Sequence, residues 1–502
     1  MNATKKIEYS LGSVTIFLAL CLTLIISILV TTLESARRLA ITSHLQSVSN
    51  FALDSVFSEY CTQLLEEYGI FSIVSNPEEI ETSLNDYITG NTQPESVLLP
   101  GYGSFFKSKL LNIDFTNISV LTDLNGEIFL NQLLSYMKYK ELSYVSDYLL
   151  TDSGISFNPS AFMKLADADG FEDIDLAAFD FSGISDYVDT ANTTYKDDEY
   201  DTGVSYSSSF FMDSLKKLSH IFDDELIYFV VEYPLCVSNK AVDTATLPSS
   251  KQVELYNEIS KDYMAESYGV YERFLTCEYI INHFSSYTTP VKDSILEYQA
   301  EYVLCGHDND RDNLNEVIKK LVLLRFGFNI IHILTDYDKM NTVISIANST
   351  AAVPLLPFII EIVIISLWSI AESIIDVRDL LAGRSVPLFK TSNDWSLSLE
   401  GIMTFDYYSK SKNSDDNGLS YNNYLEMLLM SANMQKMSFK IMDLIQMDFS
   451  TNINKDFLIE NCIVGLSADF GYYTNNVFST VNFHYRYFKR HKFYISETFN
   501  YN

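Results

Sequence analysis

SVTIFLALCLTLIISILVTTL, residues Ser13–Leu33, is an uncharged apolar run of about the twenty residues needed to cross a hydrocarbon core of roughly 30 Å. It predicts a transmembrane helix. No Gly or Pro follows it until Gly69, the first residue suited to stop a helix. The spacing therefore predicts one continuous helix to Tyr68, on the order of 80 Å long at about 1.5 Å per residue. Beyond the apolar run, Ala40, Ile41, Leu45, Val48, Ala52, Val56, Tyr60 and Leu64 recur three or four residues apart, which gives residues 34–68 one buried face. That outer half reads as the spine of the first domain outside the membrane. Glu34 precedes Arg37 and Arg38 by three and four residues, the orientation that favours helix ion pairs of about 0.2–0.5 kcal/mol each. These three residues are the expected packing and interaction residues of the helix.

A secretory leader has an apolar core of roughly 7–15 residues and ends at a small-residue cleavage site. This run is longer and continues into charged helix, so it reads as an anchor. Lys5 and Lys6 precede it and Arg37 and Arg38 follow it, so the positive-inside count does not orient it. The short side, residues 1–12, is expected in the cytoplasm, and the large acidic side is expected outside the cell membrane, on a single-pass protein.

With 502 residues the chain is too long for one ordinary core. Its formal charge of −32 argues against a nucleic-acid partner, because phosphate binding needs a basic surface and none is expected from short pairs such as Lys216-Lys217 and Lys319-Lys320. The abundant Tyr and Phe read as core and strand residues, with an aromatic patch for cell-surface glycan as the alternative. Cys21, Cys61, Cys236, Cys277, Cys305 and Cys462 include no C-x-x-C pair, so neither a zinc site nor a dense disulfide framework is indicated.

Residues 1–12 read as a leader, 13–33 as the transmembrane helix and 34–68 as the spine. Residues 69–248 read as an α+β domain carrying an acidic insertion at 167–225. Residues 249–400 read as a helical domain, and 401–502 as a helix pair followed by strands. GIFSIVSNPEEIETSLNDYITGN (69–91) gives a short strand, a turn and a capped helix. Residues 111–121 alternate as a strand, turn at Asn125-Gly126 and become helical from Glu127. LIYFVVEYPL (226–235) is strand-like. Two acidic segments, DADGFEDID (167–175) and DNDRD (308–312), invite a calcium reading. Both break the EF-hand spacing, so solvated acidic loops are the preferred reading. VPLLPFIIEIVIISLWSIAESIIDVRDLLAG (353–383) is nearly long enough for a second span. However, Glu361 costs about 2.5–3.5 kcal/mol in mid-membrane, and Glu361, Ser369, Glu372, Asp376 and Asp379 share one side of the wheel. That pattern marks a core helix. From Tyr421 a Met- and Leu-rich helix pair runs to Met447, and two alternating segments follow.

No H-E-x-x-H, G-x-S-x-G, Walker or G-x-G-x-x-G motif occurs, so neither a catalytic residue nor a cofactor or metal site is indicated. The fold class expected is α+β: a transmembrane helix continuing as an amphipathic helix, then a largely helical extracytoplasmic region with small antiparallel sheets.

Three stretches carry a family resemblance: Gly12–Arg38 with Leu64–Phe71, Leu321–Asp336, and Ser366–Trp395. They resemble an uncharacterised family of single-anchor surface proteins from Gram-positive anaerobes. Its members occur near components of tight-adherence (Tad) pilus systems, beside TadE-like pseudopilins. The resemblance implies membrane lipid and other pilus or secretion-system subunits as partners; it implies no reaction. Lys5, Lys6, Gly12 and Ser13 are similar to a prepilin leader and its processing site, while Phe17 stands where pilins carry a Glu. The resemblance thus implies a pseudopilin-like or accessory component, with an anchored glycan-binding or glycan-hydrolysing ectodomain as the alternative.

Overall fold

The computed structural model describes residues 4–92, 107–148, 226–250, 268–292, 294–350, 356–399, 418–475 and 490–501. The acidic insertion expected at 167–225, with DADGFEDID in it, lies outside them. The chain is mostly helical with one small antiparallel sheet, an α+β architecture. It divides into two compact units. One holds the described residues up to Gln132 and from Leu458 onward; the other holds those from Leu133 to Phe457.

The first unit is built on α1 (Thr4–Phe57). Its apolar half is exposed side chain by side chain, Phe17 to 67% and Leu29 to 60%. In its second half Ile41, Leu45, Val48, Ala52, Leu53, Val56 and Phe57 are buried at the three- and four-residue spacing of one helix face; Ala40 is on the exposed side. The expected continuous helix to Tyr68 breaks after Phe57. Cys61 N–H donates to Ser72 O at 2.9 Å and Tyr60 packs edge-on against Phe71, so the chain leaves the helix to meet the next segment. A separate helix, α2 (Thr62–Tyr68), follows, and Gly69 closes it in the left-handed region at φ 71°.

Then come β1 (Ile73–Val74), α3 (Pro77–Thr92) and β2 (Ser108–Val120). Asn76 Oδ1 accepts from Glu79 N–H at 2.9 Å and caps α3 in the expected manner. The sheet is completed by β3 (Cys462–Asn475) and β4 (Arg490–Asn500). β3 is central, antiparallel to β2 along one edge and to β1 and β4 along the other. Leu466, Ala468, Phe470 and Tyr472 alternate along β3 into a core shared with α1, with Ile80, Leu84 and Ile88 of α3, and with Phe493 and Ile495, as a two-residue period requires. The terminal strands therefore close the N-terminal sheet, whereas the sequence reading grouped them with the helix pair in 401–502.

The boundary between the units falls within α4 (Glu127–Tyr148). The second unit contains α5 (Ile227–Val230), α6 (Val270–His283), α7 (Gln299–Cys305), α8 (Asp310–Thr335), α9 (Tyr337–Thr350), α10 (Leu356–Leu381), α11 (Tyr421–Ser431) and α12 (Met434–Asn452). Residues 226–235, read as a strand, form α5 and a 3₁₀ turn at Pro234–Cys236. A short apolar run does not separate strand from buried helix by periodicity, and here Ile227, Val230 and Val231 point into the core at helical spacing. In DNDRD, Asp308 and Asp312 are exposed, as in a solvated loop, while Asp310 is drawn inside. Asn309 caps α8, accepting from Asp312 N–H at 2.8 Å. Asp310 is fully buried and accepts from Ser238 Oγ and from the N–H groups of Glu297 and Tyr298. α10 is largely buried in the second unit, whereas the apolar half of α1 is exposed.

Candidate functional site

Three places in the described residues gather polar chemistry. The first is at the start of the outer half of α1. Glu34 and Arg37 are both buried and 3.1 Å apart, and Arg38 Nε lies 3.5 Å from Glu34. The two pairs expected from spacing are therefore present, but the inner one is shielded from water. Arg37 also donates to Asn475 O at 3.1 Å and to Thr474 Oγ1 at 3.2 Å. This ties α1 to the end of β3, a contact that helix spacing alone does not disclose. Further along, Ser49 and Tyr472 share a 2.7 Å hydrogen bond. Gly12 and Ser13 lie within α1.

The second place is a buried ionic cluster in the helical unit. Arg325 of α8 is fully enclosed. Its Nε donates to Asp376 Oδ2 of α10 at 3.0 Å. Its Nη1 donates to the carbonyls of Pro387 and Leu388 and to Tyr424 Oη, and its Nη2 to Asn329 Oδ1. Asn329 bonds in turn to Ser373 and Asp376. Lys390 reaches both Glu372 and Asp376, and Glu372 also accepts from the N–H groups of Ser396 and Leu397. Two cations face two carboxylates, so the cluster is neutral as a whole. Burial opposes charge on each member. Lys390 and Arg325 nevertheless hold Asp376 below the usual carboxylate range; Asp376 in turn, with Glu372 at Lys390 and Tyr424 at Arg325, holds both cations above theirs, and at Glu372 burial wins and the pKa rises.

Beside this cluster Trp395 stacks on His332 with ring centroids 5.0 Å apart and meets Trp368 edge-on. Both indole N–H groups donate to Leu397 O at 2.8 Å. His332 lies 3.6 Å from Asp336. Burial and the neighbouring Lys339 lower its pKa. Lys339 and Ser392 hold Asp336 well below the usual range. The two motifs Leu321–Asp336 and Ser366–Trp395 thus converge in space on one polar core. Its carboxylates have structural partners, and it forms the interior framework of the unit.

The third place is a cleft of about 720 Å³ at α5 and the C-terminal end of α10, lined by Tyr228, Glu232, Tyr233, Tyr287, Arg378 and Arg384 among others. Arg378 donates to Phe229 O at 3.0 Å, and Arg384 Nε donates to Asp379 at 2.9 Å. The guanidinium of Arg311 lies 4.9 Å from the Tyr228 ring centroid. The cleft's arginines are thus engaged by the protein. Among the described residues no group of three or more His, Cys, Asp or Glu side chains is placed to hold a metal ion.

Sequence reasoning named Glu34, Arg37 and Arg38 and placed Glu372, Asp376 and Asp379 on one helix face. It missed Arg325 and Lys390. An Arg inside the apolar run LVLLRFGFNII was the available signal, since an enclosed guanidinium requires acceptors.

A model of a family of unknown function, DUF5702, matches residues 207–474. No curated protein and no solved structure matches the chain.

Proposed function

The chain belongs to the DUF5702 family of unknown function, and on that footing we propose that it is a non-catalytic, membrane-anchored cell-surface protein, a pseudopilin-like or accessory component of a Tad-type pilus or secretion system. The observation that carries this reading is α1. One uninterrupted helix presents bare apolar side chains along the length of a bilayer core and then becomes the buried spine of a four-stranded antiparallel sheet. Exposed Leu, Ile and Phe in that density have no place in water but match lipid. A helix that anchors with one half and carries a sheet on the other is the layout of pilin-like subunits.

Further support comes from α10. Its apolar length is occupied in packing, and its Glu372, Asp376 and Asp379 pair with Lys390, Arg325 and Arg384; withdrawing it into lipid would strand those partners. The reading is accordingly of a single span with the bulk of the chain outside. Phe17 in place of a pilin's Glu favours an accessory or assembly position over a place in the fibre core. The full chain, tagged and recovered from detergent-solubilised membranes, is expected to bring pilus or secretion-system subunits with it, and its deletion is expected to alter piliation. Recovery of none of them, with piliation unchanged, contradicts the proposal.

A further inference from the structure

We infer that the end of the β2–β3–β4 sheet nearest the membrane run binds the anionic headgroups of the lipid surface, so that the chain is held to the bilayer by charge as well as by its anchor. The inference rests on the anchoring role proposed for α1.

Arg37 is joined to Thr474 and Asn475, which fixes the end of β3 beside the first turn of α1 past Leu33. Four residues separate Leu33 from Arg37, an axial rise of about 6 Å. A bilayer of about 40–45 Å with a core of about 30 Å leaves roughly 5–7 Å of headgroup layer on each side. If the apolar run fills the core, the described rows of the sheet nearest Leu33 stand in that layer.

Those rows are basic. Lys109, Tyr473 and Lys492 are paired directly across β2, β3 and β4, and opposed residues share a face. Tyr472 points to Ser49 of α1, so this row lies on the face turned away from α1. Both lysines are exposed. In the next row Ser108, Thr474 and His491 are opposed. Exposed Lys107 lies there as well, its carbonyl accepting from Thr474 Oγ1 at 2.9 Å. Arg38 is close enough to His491 that burial and this guanidinium together lower the imidazole pKa.

None of these rows contains an acid. The next acidic positions along the strands are Asp114 and Asp469, opposite each other and further from the anchor. The one carboxylate at this level of α1, Glu34, is buried against Arg37 and Arg38. A chain with 66 acidic and 34 basic residues thus places a cationic end at the depth where phosphates lie. An anionic leaflet attracts juxtamembrane basic groups within about a Debye length. Elsewhere the acidic surface is repelled by the same charge.

The test uses the full chain in lipid nanodiscs, one set of neutral phosphatidylcholine and one enriched in phosphatidylglycerol. Lysine acylation by a water-soluble reagent is read by mass spectrometry. The expected result is several-fold slower acylation of Lys107, Lys109 and Lys492 in the anionic discs, lost in high salt, with exposed Lys455 unchanged throughout. Equal rates in both lipids, with the chain still co-eluting with the discs, overturn the headgroup contact and leave the anchor standing. A chain that fails to co-elute with either disc overturns the anchor and this inference together.

Discussion

Arg325 has no exposed surface and at least one acceptor for each of its three nitrogens. Removing one side of a buried ion pair leaves the other side charged and unsolvated. Arg325→Met leaves two buried carboxylates, Glu372 and Asp376, with the single cation Lys390 and is expected to lower the stability of the helical unit by about 3–5 kcal/mol, measured by urea denaturation followed through Trp368 and Trp395 fluorescence. Glu301 gives the opposite case. It is fully buried, accepts from Tyr287 N–H at 2.8 Å and Tyr421 Oη at 2.7 Å, and burial pushes its pKa up to about 7. A carboxyl raised in the folded state costs stability wherever it is ionised, so the cost is full above about pH 7 and relieved as pH falls toward the unfolded value near 4.5. The wild type is expected to gain up to about 3 kcal/mol relative to Glu301→Gln between about pH 8 and about pH 5. A pH-independent difference between the two proteins refutes this role of Glu301. The paired spacing of Glu34, Arg37 and Arg38 was legible in the sequence, whereas their attachment to Thr474 was not, because that contact joins positions more than four hundred residues apart.

At the scale of elements, α1 performs two tasks along one axis, and substitutions should separate them. Leu45 is fully buried in the core formed with α3 and the sheet. Leu45→Ala is expected to cost about 2–5 kcal/mol of stability in that unit, read by hydrogen exchange at β3, while leaving retention in carbonate-washed membranes unchanged. Loss of membrane retention would mean that the two halves are not independent. The boundaries of α1 show where local pattern stops being informative. The apolar run and the core face followed from spacing, but the break at 58–61 contains neither Gly nor Pro. It is imposed by Tyr60 on Phe71 and by the aromatic contacts of Phe57 with Phe499 and Tyr501. α10 was legible as a core helix because Glu372, Asp376 and Asp379 recur on one face; what neutralises them was hidden in Arg325 and in Lys390 and Arg384 beyond its C-terminus. α5 was misread because a short apolar stretch satisfies strand and helix alike.

For the whole molecule, the order of segments in the sequence conceals how the chain is closed. β1 pairs with β3 across almost four hundred residues, with the entire helical unit between them, and no local pattern records such a pairing. The family match at 207–474 covers the described helical unit from Leu226 onward and most of β3, while α1 and β4 fall outside it. The central claim concerns the whole chain: a single anchor with the bulk of the protein on the outer side of the membrane. Cys236 is exposed in the helical unit, distant in sequence from the apolar run. Labelling of intact cells with a membrane-impermeant maleimide, followed by peptide mapping, tests this claim most directly. The account predicts that Cys236 is modified as fully in intact cells as in permeabilised ones; modification only after permeabilisation contradicts it.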